Sequence, residues 1–265
     1  ILASGEPLKI AENGVDIEQS KDAGEPIAIV VLMNASAGYQ MHGEGEVHST
    51  YQQEKEGFSQ FVGKMEGSDK VAIYQYRESV PFEQVYDFAS NFKQAKEAVL
   101  NANVPDSDLD PETLGGGARK KRSLAPEVLR ATQKALGYMV DNLDKLGSAR
   151  RRFLVLMSDG KDRETRKSKL TKKIERILDK YAEYKIRIHA IGFTADDPQY
   201  LSILQSLANG SGGLYRRIDS KDFSVIPATI EGIADRIKKQ YIIKVTLDEL
   251  PDWGEPSKQK PEASY

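Results

Sequence analysis

Cysteine is absent from this chain of 265 residues, which excludes disulfide bonds, structural zinc held by thiolates and a cysteine nucleophile. No apolar run approaches the roughly 18 residues that a membrane span needs, so no membrane insertion of this segment is expected. The formal net charge is only −2, so bulk charge does not indicate a nucleic-acid partner. The chain opens with Ile1 and shows no basic-then-apolar leader, so we expect a fragment of a longer protein.

Catalytic and nucleotide-binding motifs are also missing. No Gly-x-Ser-x-Gly elbow, P-loop or dinucleotide fingerprint occurs where a strand-to-helix turn would need it. A hydrolase or phosphoryl-transfer enzyme that uses Asp159 is the less favoured alternative, since no plausible base or nucleophile accompanies that residue. The sequence therefore predicts a protein that is not an enzyme.

Two apolar segments end in short side chains that carry oxygen atoms. Residues 153–157 run into Ser158, Asp159 and Gly160, and residues 26–33 run into the loop from Asn34 to Gly38. Such apolar runs are typical of strands that are buried on both faces of a parallel sheet. Because open α/β sheets bind ligands at the carboxyl ends of their strands, the two segments predict one composite site.

Helical and strand patterns alternate from Pro26 onwards, which predicts a doubly wound, mainly parallel sheet of about six strands with helices on both faces. Residues 80–85 contain Pro81 and are predicted to form the one antiparallel edge strand. We interpret residues 1–25 as an extended N-terminal arm or the remnant of a preceding domain. Residues 26–242 form the predicted main domain, and residues 243–265 an edge strand followed by a disordered tail or linker.

At the two strand ends the chain resembles the von Willebrand factor A family. Members carry an Asp-x-Ser-x-Ser loop after the first strand, a threonine in a second loop and an aspartate in a Ser-Asp-Gly loop. Residues 158–162 match the last loop well. In the first loop, Asn34 replaces the first aspartate, Ser36 is kept and Gly38 replaces the second serine. The resemblance covers roughly residues 26–242 and implies the Rossmann-like fold of this family.

In the family these loops form a metal-ion-dependent adhesion site, so the resemblance implies Asn34, Ser36 and Asp159 as ligands of Mg²⁺ or Mn²⁺. The threonine position falls on Ser123 or on Pro126, which cannot ligate a metal. A more distant candidate for this position is Thr113.

Charge favours a degenerate site without a metal ion. Replacing one of two carboxylates by the neutral Asn34 removes several kcal/mol of attraction for a divalent cation, even at an effective dielectric constant of about 20. In that case Asn34 and Ser36 cap the loop and the following helix, while Asp159 accepts hydrogen bonds. No cofactor is then expected. The alternative is an adhesion domain that depends on Mg²⁺ or Mn²⁺.

Four consecutive basic residues stand beside the predicted ligand edge and, with two residues of the Ser-Asp-Gly loop, predict a surface for an acidic protein partner. They are Arg119, Lys120, Lys121 and Arg122, with Lys161 and Asp162. The alternative is an ordinary solvated surface. We therefore predict a protein–protein interaction or adhesion module.

Because residues 12–16 are similar to a segment of bacterial A-domain proteins, an extracellular, periplasmic or cell-surface location is expected.

Three histidines offer weaker signals. His42 and His48 lie in one glycine-rich segment, but no matching carboxylate accompanies them, so a metal site there is disfavoured. His189 lies among isoleucines in a predicted strand and is expected to be a packed side chain.

Overall fold

The computed structural model describes residues 10–19, 25–36, 49–77, 80, 82–103, 128–160, 162, 167–193, 198–218, 224–239 and 241–247. The chain divides into two compact units, residues 25–237 and residues 1–24 with 238–265. Several sequence-based predictions fall outside the described residues: Gly38, His42, His48, Thr113, Arg119, Lys120, Lys121, Arg122, Ser123, Pro126, Lys161 and the predicted tail after Leu247.

The described residues form eight strands and six α-helices. In chain order they are β1 (Ile10–Gln19), β2 (Ile27–Asn34), α1 (Ser49–Gly63), β3 (Lys70–Tyr76), β4 (Glu83–Ala89), α2 (Phe92–Asn101), α3 (Val128–Asp141), β5 (Arg151–Ser158), α4 (Lys167–Tyr181), β6 (Ile186–Phe193), α5 (Ser202–Gly210), β7 (Tyr215–Ile218), α6 (Val225–Lys238) and β8 (Tyr241–Leu247). Among the described residues, no helix is long and apolar enough to cross a membrane.

The larger unit contains a six-stranded sheet in the order β4-β3-β2-β5-β6-β7. All neighbouring strands are parallel except β4, which runs antiparallel to β3 at the edge. The predicted fold class is thus confirmed. The edge strand lies at residues 83–89 rather than 80–85. The Arg77 N–H donates to the Val80 carbonyl, so Val80 belongs to the connection between β3 and β4.

Burial explains why the central strands are apolar along their whole length. Every residue of β2 is buried, as are the last six residues of β5. Side chains of alternating residues enter two separate cores. One core packs against α3, α4 and α5, and the other against α1, α2 and α6. A doubly wound sheet covered on both faces requires such continuous apolar strands.

The smaller unit contains a two-stranded antiparallel sheet of β1 and β8, with a register irregularity between Ile10 and Val15. The sequence predicts β1 as part of an N-terminal arm and β8 as a separate edge strand. Their pairing joins opposite ends of the chain, and no local pattern of residues reveals such a partner.

His189 is a packed strand residue, as predicted. It is 1% exposed, its ring stacks on Phe153 at 5.4 Å between centroids, and its Nδ1 accepts a hydrogen bond of 3.0 Å from the Leu214 N–H. Burial, helped by the nearby Arg187, lowers the pKa of His189 to about 4. The ring is therefore neutral at physiological pH.

Acid should destabilise the protein through His189. Between the folded-state pKa and the unfolded value of about 6.5, the unfolded chain binds a proton that the folded chain excludes. The neutral ring contributes up to about 3 kcal/mol to the free energy of unfolding. This contribution is present above about pH 6.5 and is lost as the pH falls toward 4. His189→Asn keeps an acceptor for the Leu214 N–H and should remove this part of the loss. Urea unfolding at about pH 7.5 and 4.5 measures the effect, and equal pH dependence in both proteins would contradict it.

Candidate functional site

The candidate site lies where β2 and β5 end side by side. Leu32 pairs with Leu156, and the chain continues from β2 to β3 on one side and from β5 to β6 on the other. This reversal is the topological switch point, where open α/β sheets bind ligands. The predicted residues Asn34, Ser36 and Asp159 are all buried at this edge.

The first loop is stabilised by its own side chain. Asn34 Oδ1 accepts a hydrogen bond of 3.1 Å from the Ser36 N–H, and the Ala35 N–H donates to the Tyr76 carbonyl at 2.9 Å. Asparagine often closes a loop in this way. Among the described residues, neither Asn34 Nδ2 nor Ser36 Oγ has a hydrogen-bond partner.

The Ser-Asp-Gly loop is held by the Ser158 hydroxyl. Its Oγ accepts hydrogen bonds from the Tyr76 hydroxyl at 2.9 Å and from the Gly160 N–H at 3.1 Å. Gly160 has a φ of +76°, and a Cβ there would collide with the backbone of Tyr200. Glycine is therefore required, and the turn places Asp159, which is 2% exposed, at the head of β5.

Glu54 is a site residue that the sequence analysis missed. Its side chain is fully buried, and its Oε1 accepts a hydrogen bond of 3.2 Å from the Asn34 N–H. Burial raises the pKa of Glu54 well above its usual range, and this hydrogen bond opposes the rise. Glu54 lies at helical spacing between Tyr51 and Phe58 on the buried stripe of α1, and a charged residue on such a stripe is the signal that could have revealed it.

The Tyr76 hydroxyl is buried between the two loops. Burial raises the pKa of Tyr76 well above its usual range, while the Ser158 hydrogen bond opposes the rise, and the negative charges of Asp159, Glu54 and Asp162 raise it further. The hydroxyl therefore stays protonated and donates to Ser158.

Asp162, a predicted partner contact, is half-buried and has a structural role. Its Oδ2 accepts a hydrogen bond of 2.9 Å from the Leu129 N–H in the first described turn of α3. A carboxylate at this end of a helix satisfies an otherwise unpaired N–H and interacts favourably with the helix dipole. Contact between Asp162 and a partner stays a prediction.

The donor set can be tested for its fit to a divalent cation. In the part of the chain that the structure describes, no three His, Cys, Asp or Glu side chains form a ligand group. Asn34, Ser36 and Asp159 alone supply one carboxylate. One carboxylate is a poor match to a divalent cation, which prefers several oxygen ligands that balance its charge. Glu54 Oε2 and Ser36 Oγ are buried oxygen atoms without a partner among the described residues.

Comparison with known proteins supports the fold. The family model of the von Willebrand factor type A domain matches residues 124–230. This segment includes the Ser-Asp-Gly loop and begins after the loop of Asn34 and Ser36. No curated protein matches the chain.

Solved structures share the architecture at low sequence identity. A von Willebrand factor type A protein from Catenulispora acidiphila is 16% identical with a TM-score of 0.57, over 90% of this chain and 52% of that chain. The manganese-loaded TRAP protein of Plasmodium vivax is 11% identical with a TM-score of 0.51, and the match covers 88% of this chain and 80% of that chain. The pilus adhesin SpaC of Lactobacillus rhamnosus GG is 14% identical with a TM-score of 0.53, and the match covers 81% of this chain and 31% of that chain. With the family match, these likenesses confirm the resemblance to the von Willebrand factor A family.

Tyr76→Phe should destabilise the fold by about 1 kcal/mol, because it removes a buried hydrogen bond to Ser158. The matched control is Tyr86→Phe on β4, whose hydroxyl donates to the Asn91 carbonyl in an exposed position and should matter little. Chemical denaturation of the three proteins measures the difference. Equal free energies of unfolding for both variants would show that the Tyr76 hydroxyl does not stabilise the site.

Proposed function

We propose that this chain is a non-enzymatic protein-interaction or adhesion module, and that its partner docks at the edge formed by the carboxyl ends of β2 and β5. The observation that carries this proposal is the state of the polar groups at the switch point. Asn34, Ser158 and Asp159 are buried, and Ser158 Oγ already accepts two hydrogen bonds. Neither of these two hydrogen bonds comes from a general base, which a nucleophilic serine needs beside it.

The enzyme alternative is weaker on the same ground. A hydrolase or phosphoryl-transfer site built on Asp159 needs a base or nucleophile within hydrogen-bond reach of the substrate. His189, the one histidine among the described residues, is buried against Phe153 and accepts a hydrogen bond from the Leu214 N–H. The similar folds of a pilus adhesin and of TRAP favour an interaction role.

The location and limits of the module belong to the same proposal. An extracellular, periplasmic or cell-surface location in a bacterium is favoured by the likeness to a pilus adhesin. We keep residues 26–242 as the limits of the module. The partner is a protein with an acidic surface, which the basic residues from Arg119 to Arg122 would attract.

Charge-dependent association is the first expected property. Replacing Arg119, Lys120, Lys121 and Arg122 by glutamine should slow association with an acidic partner more than it speeds dissociation. The control replaces exposed cations elsewhere: Lys134, Arg150, Lys180 and Lys185. A partner is first identified by parallel capture on the wild-type and variant chains. Association rates are then measured between about 50 and 500 mM salt.

Two outcomes would contradict this surface. Association rates that are identical in the wild-type chain and the Arg119–Arg122 variant at every salt concentration would make the basic residues an ordinary solvated surface. An equal loss of rate in the control variant would show that only net charge matters. Asp162 is left unchanged in both variants, because its hydrogen bond to Leu129 stabilises α3.

The site is proposed to hold no metal ion, because Asn34 replaces one of the two carboxylates that the family motif supplies. The wild-type chain should therefore gain no stability from millimolar Mg²⁺ or Mn²⁺, since a ligand that does not bind adds none. The thermal midpoint is measured with each ion and with EDTA. A rise of several degrees that disappears in Asp159→Ala would refute this proposal.

A further inference from the structure

A cavity of about 180 Å³ lies at the amino end of β6, on the face of the sheet that α3, α4 and α5 cover. Because the candidate site lies at the carboxyl ends of β2 and β5, the cavity is at the opposite end of the sheet. An engineered apolar cavity of about 150 Å³ takes up benzene, so this one can hold a small organic molecule. Its apolar walls are formed by Leu136, Ile177, Leu178, Ile186 and Ile188.

Contacts between neighbouring helices hold the walls of the cavity in place. The Tyr181 hydroxyl on α4 donates a hydrogen bond of 3.2 Å to the Gln133 carbonyl on α3. A Cβ at Gly210 would collide with Leu178, so glycine allows the end of α5 to approach α4 closely. The cavity is partly open to solvent, so a ligand can enter it. The folded chain thus contains a preformed pocket, as small-molecule sites usually are.

Lys185 lines this cavity in a backbone conformation that lysine rarely adopts. Its φ is 51° and its ψ is 38°, and in the part of the chain that the structure describes it is the one non-glycine residue with a positive φ. It follows the short 3₁₀ turn Ala182–Tyr184, and its N–H donates to the Ala182 carbonyl at 3.1 Å. Glycine would end this turn at a lower cost. Strained residues cluster at functional sites, so the lysine side chain itself needs an explanation.

A second cation lies next to the cavity. Arg152 on β5 pairs with Ile186 on β6, so the two side chains share one face of the sheet. Its Nη1 donates to the Tyr184 carbonyl at 3.1 Å, and its buried Nε has no hydrogen-bond partner among the described residues. Glu183, the acidic residue of the neighbouring turn, accepts a hydrogen bond from the Tyr184 hydroxyl. With the exposed Lys185, this arrangement favours an anionic group at the cavity.

We propose that the cavity binds a small apolar carboxylate, such as a short fatty acid, with its hydrocarbon part between α3, α4 and β6 and its carboxylate at the Lys185 ammonium. Burial of the hydrocarbon part stabilises the complex. The charged hydrogen bond from Lys185 selects an anion over a neutral molecule of the same shape. This inference goes beyond the proposed function, because it needs no protein partner and concerns the other end of the sheet.

Hexanoate tests the proposal, with hexanol as the uncharged ligand of similar size, and binding is followed by two-dimensional NMR of the isotope-labelled chain. Hexanoate should shift the amide signals of Lys185, Ile186 and Ser211 with a dissociation constant of about 1 mM, and hexanol should bind about fivefold more weakly. Lys185→Gln should lower the affinity for hexanoate to that for hexanol. Lys172→Gln is the control, since Lys172 is an exposed residue of α4 that does not line the cavity.

Lys185→Gly distinguishes a lysine kept for a ligand from one that the turn requires. Glycine adopts a positive φ without strain, so this variant should unfold at a temperature about 2–4 °C higher than the wild-type chain. It should bind hexanoate as weakly as Lys185→Gln does. Thermal unfolding followed by circular dichroism measures the first effect, and the same NMR titration measures the second.

Four binding results would overturn the proposal. They are absence of saturable hexanoate binding up to about 20 mM, equal affinities for hexanoate and hexanol, an unchanged affinity for hexanoate in Lys185→Gln, and equal weakening in Lys172→Gln. A thermal midpoint of Lys185→Gly at or below that of the wild-type chain would also overturn it, because the lysine would then not be strained. None of these outcomes concerns the edge at β2 and β5, so each leaves the interaction proposal standing.

Discussion

The parallel pairing of β2 with β5 is the constraint on which the rest of the site depends. The pair is buried on both faces, so its register is held by two apolar cores at once. With Leu32 opposite Leu156, the loop after Asn34 and the loop after Ser158 leave the sheet next to each other. A slip by one residue would turn every side chain of one strand to the wrong core and separate the two loops.

Polar groups can be buried at this edge because most of them bond to one another. Tyr76 reaches from β3 across the end of β2 to Ser158 on β5, and Asn34 closes its own loop through Ser36. Each such bond compensates a desolvation cost that would otherwise fall on the folded state. The Ser-Asp-Gly turn therefore does not need a metal ion to keep its shape. Three polar atoms at this edge are without a partner in the described part of the chain: Asn34 Nδ2, Ser36 Oγ and Glu54 Oε2.

The sequence predicts most of the fold because the decisive signals are local. Continuous apolar runs predict β2 and β5, and Pro81 predicts an edge strand nearby, although β4 begins at Glu83, a few residues further along the chain. The pairing of β1 with β8 is not local, so it was missed. Glu54 is not predicted, because apolar residues define the buried stripe of a helix and a carboxyl group at that spacing is not one of them. The role of Tyr76 depends on a contact across two strands, which no spacing of residues reveals.

Glu54 links the switch point to the stability of the fold through one buried side chain. It projects from the buried face of α1 and accepts a hydrogen bond from the Asn34 N–H. The cost of removing its carboxyl group from water therefore falls on the folded state, and burial raises the pKa of Glu54 for the same reason. The polar groups at the ends of β2 and β5 and the packing of α1 on the sheet thus depend on each other at this residue.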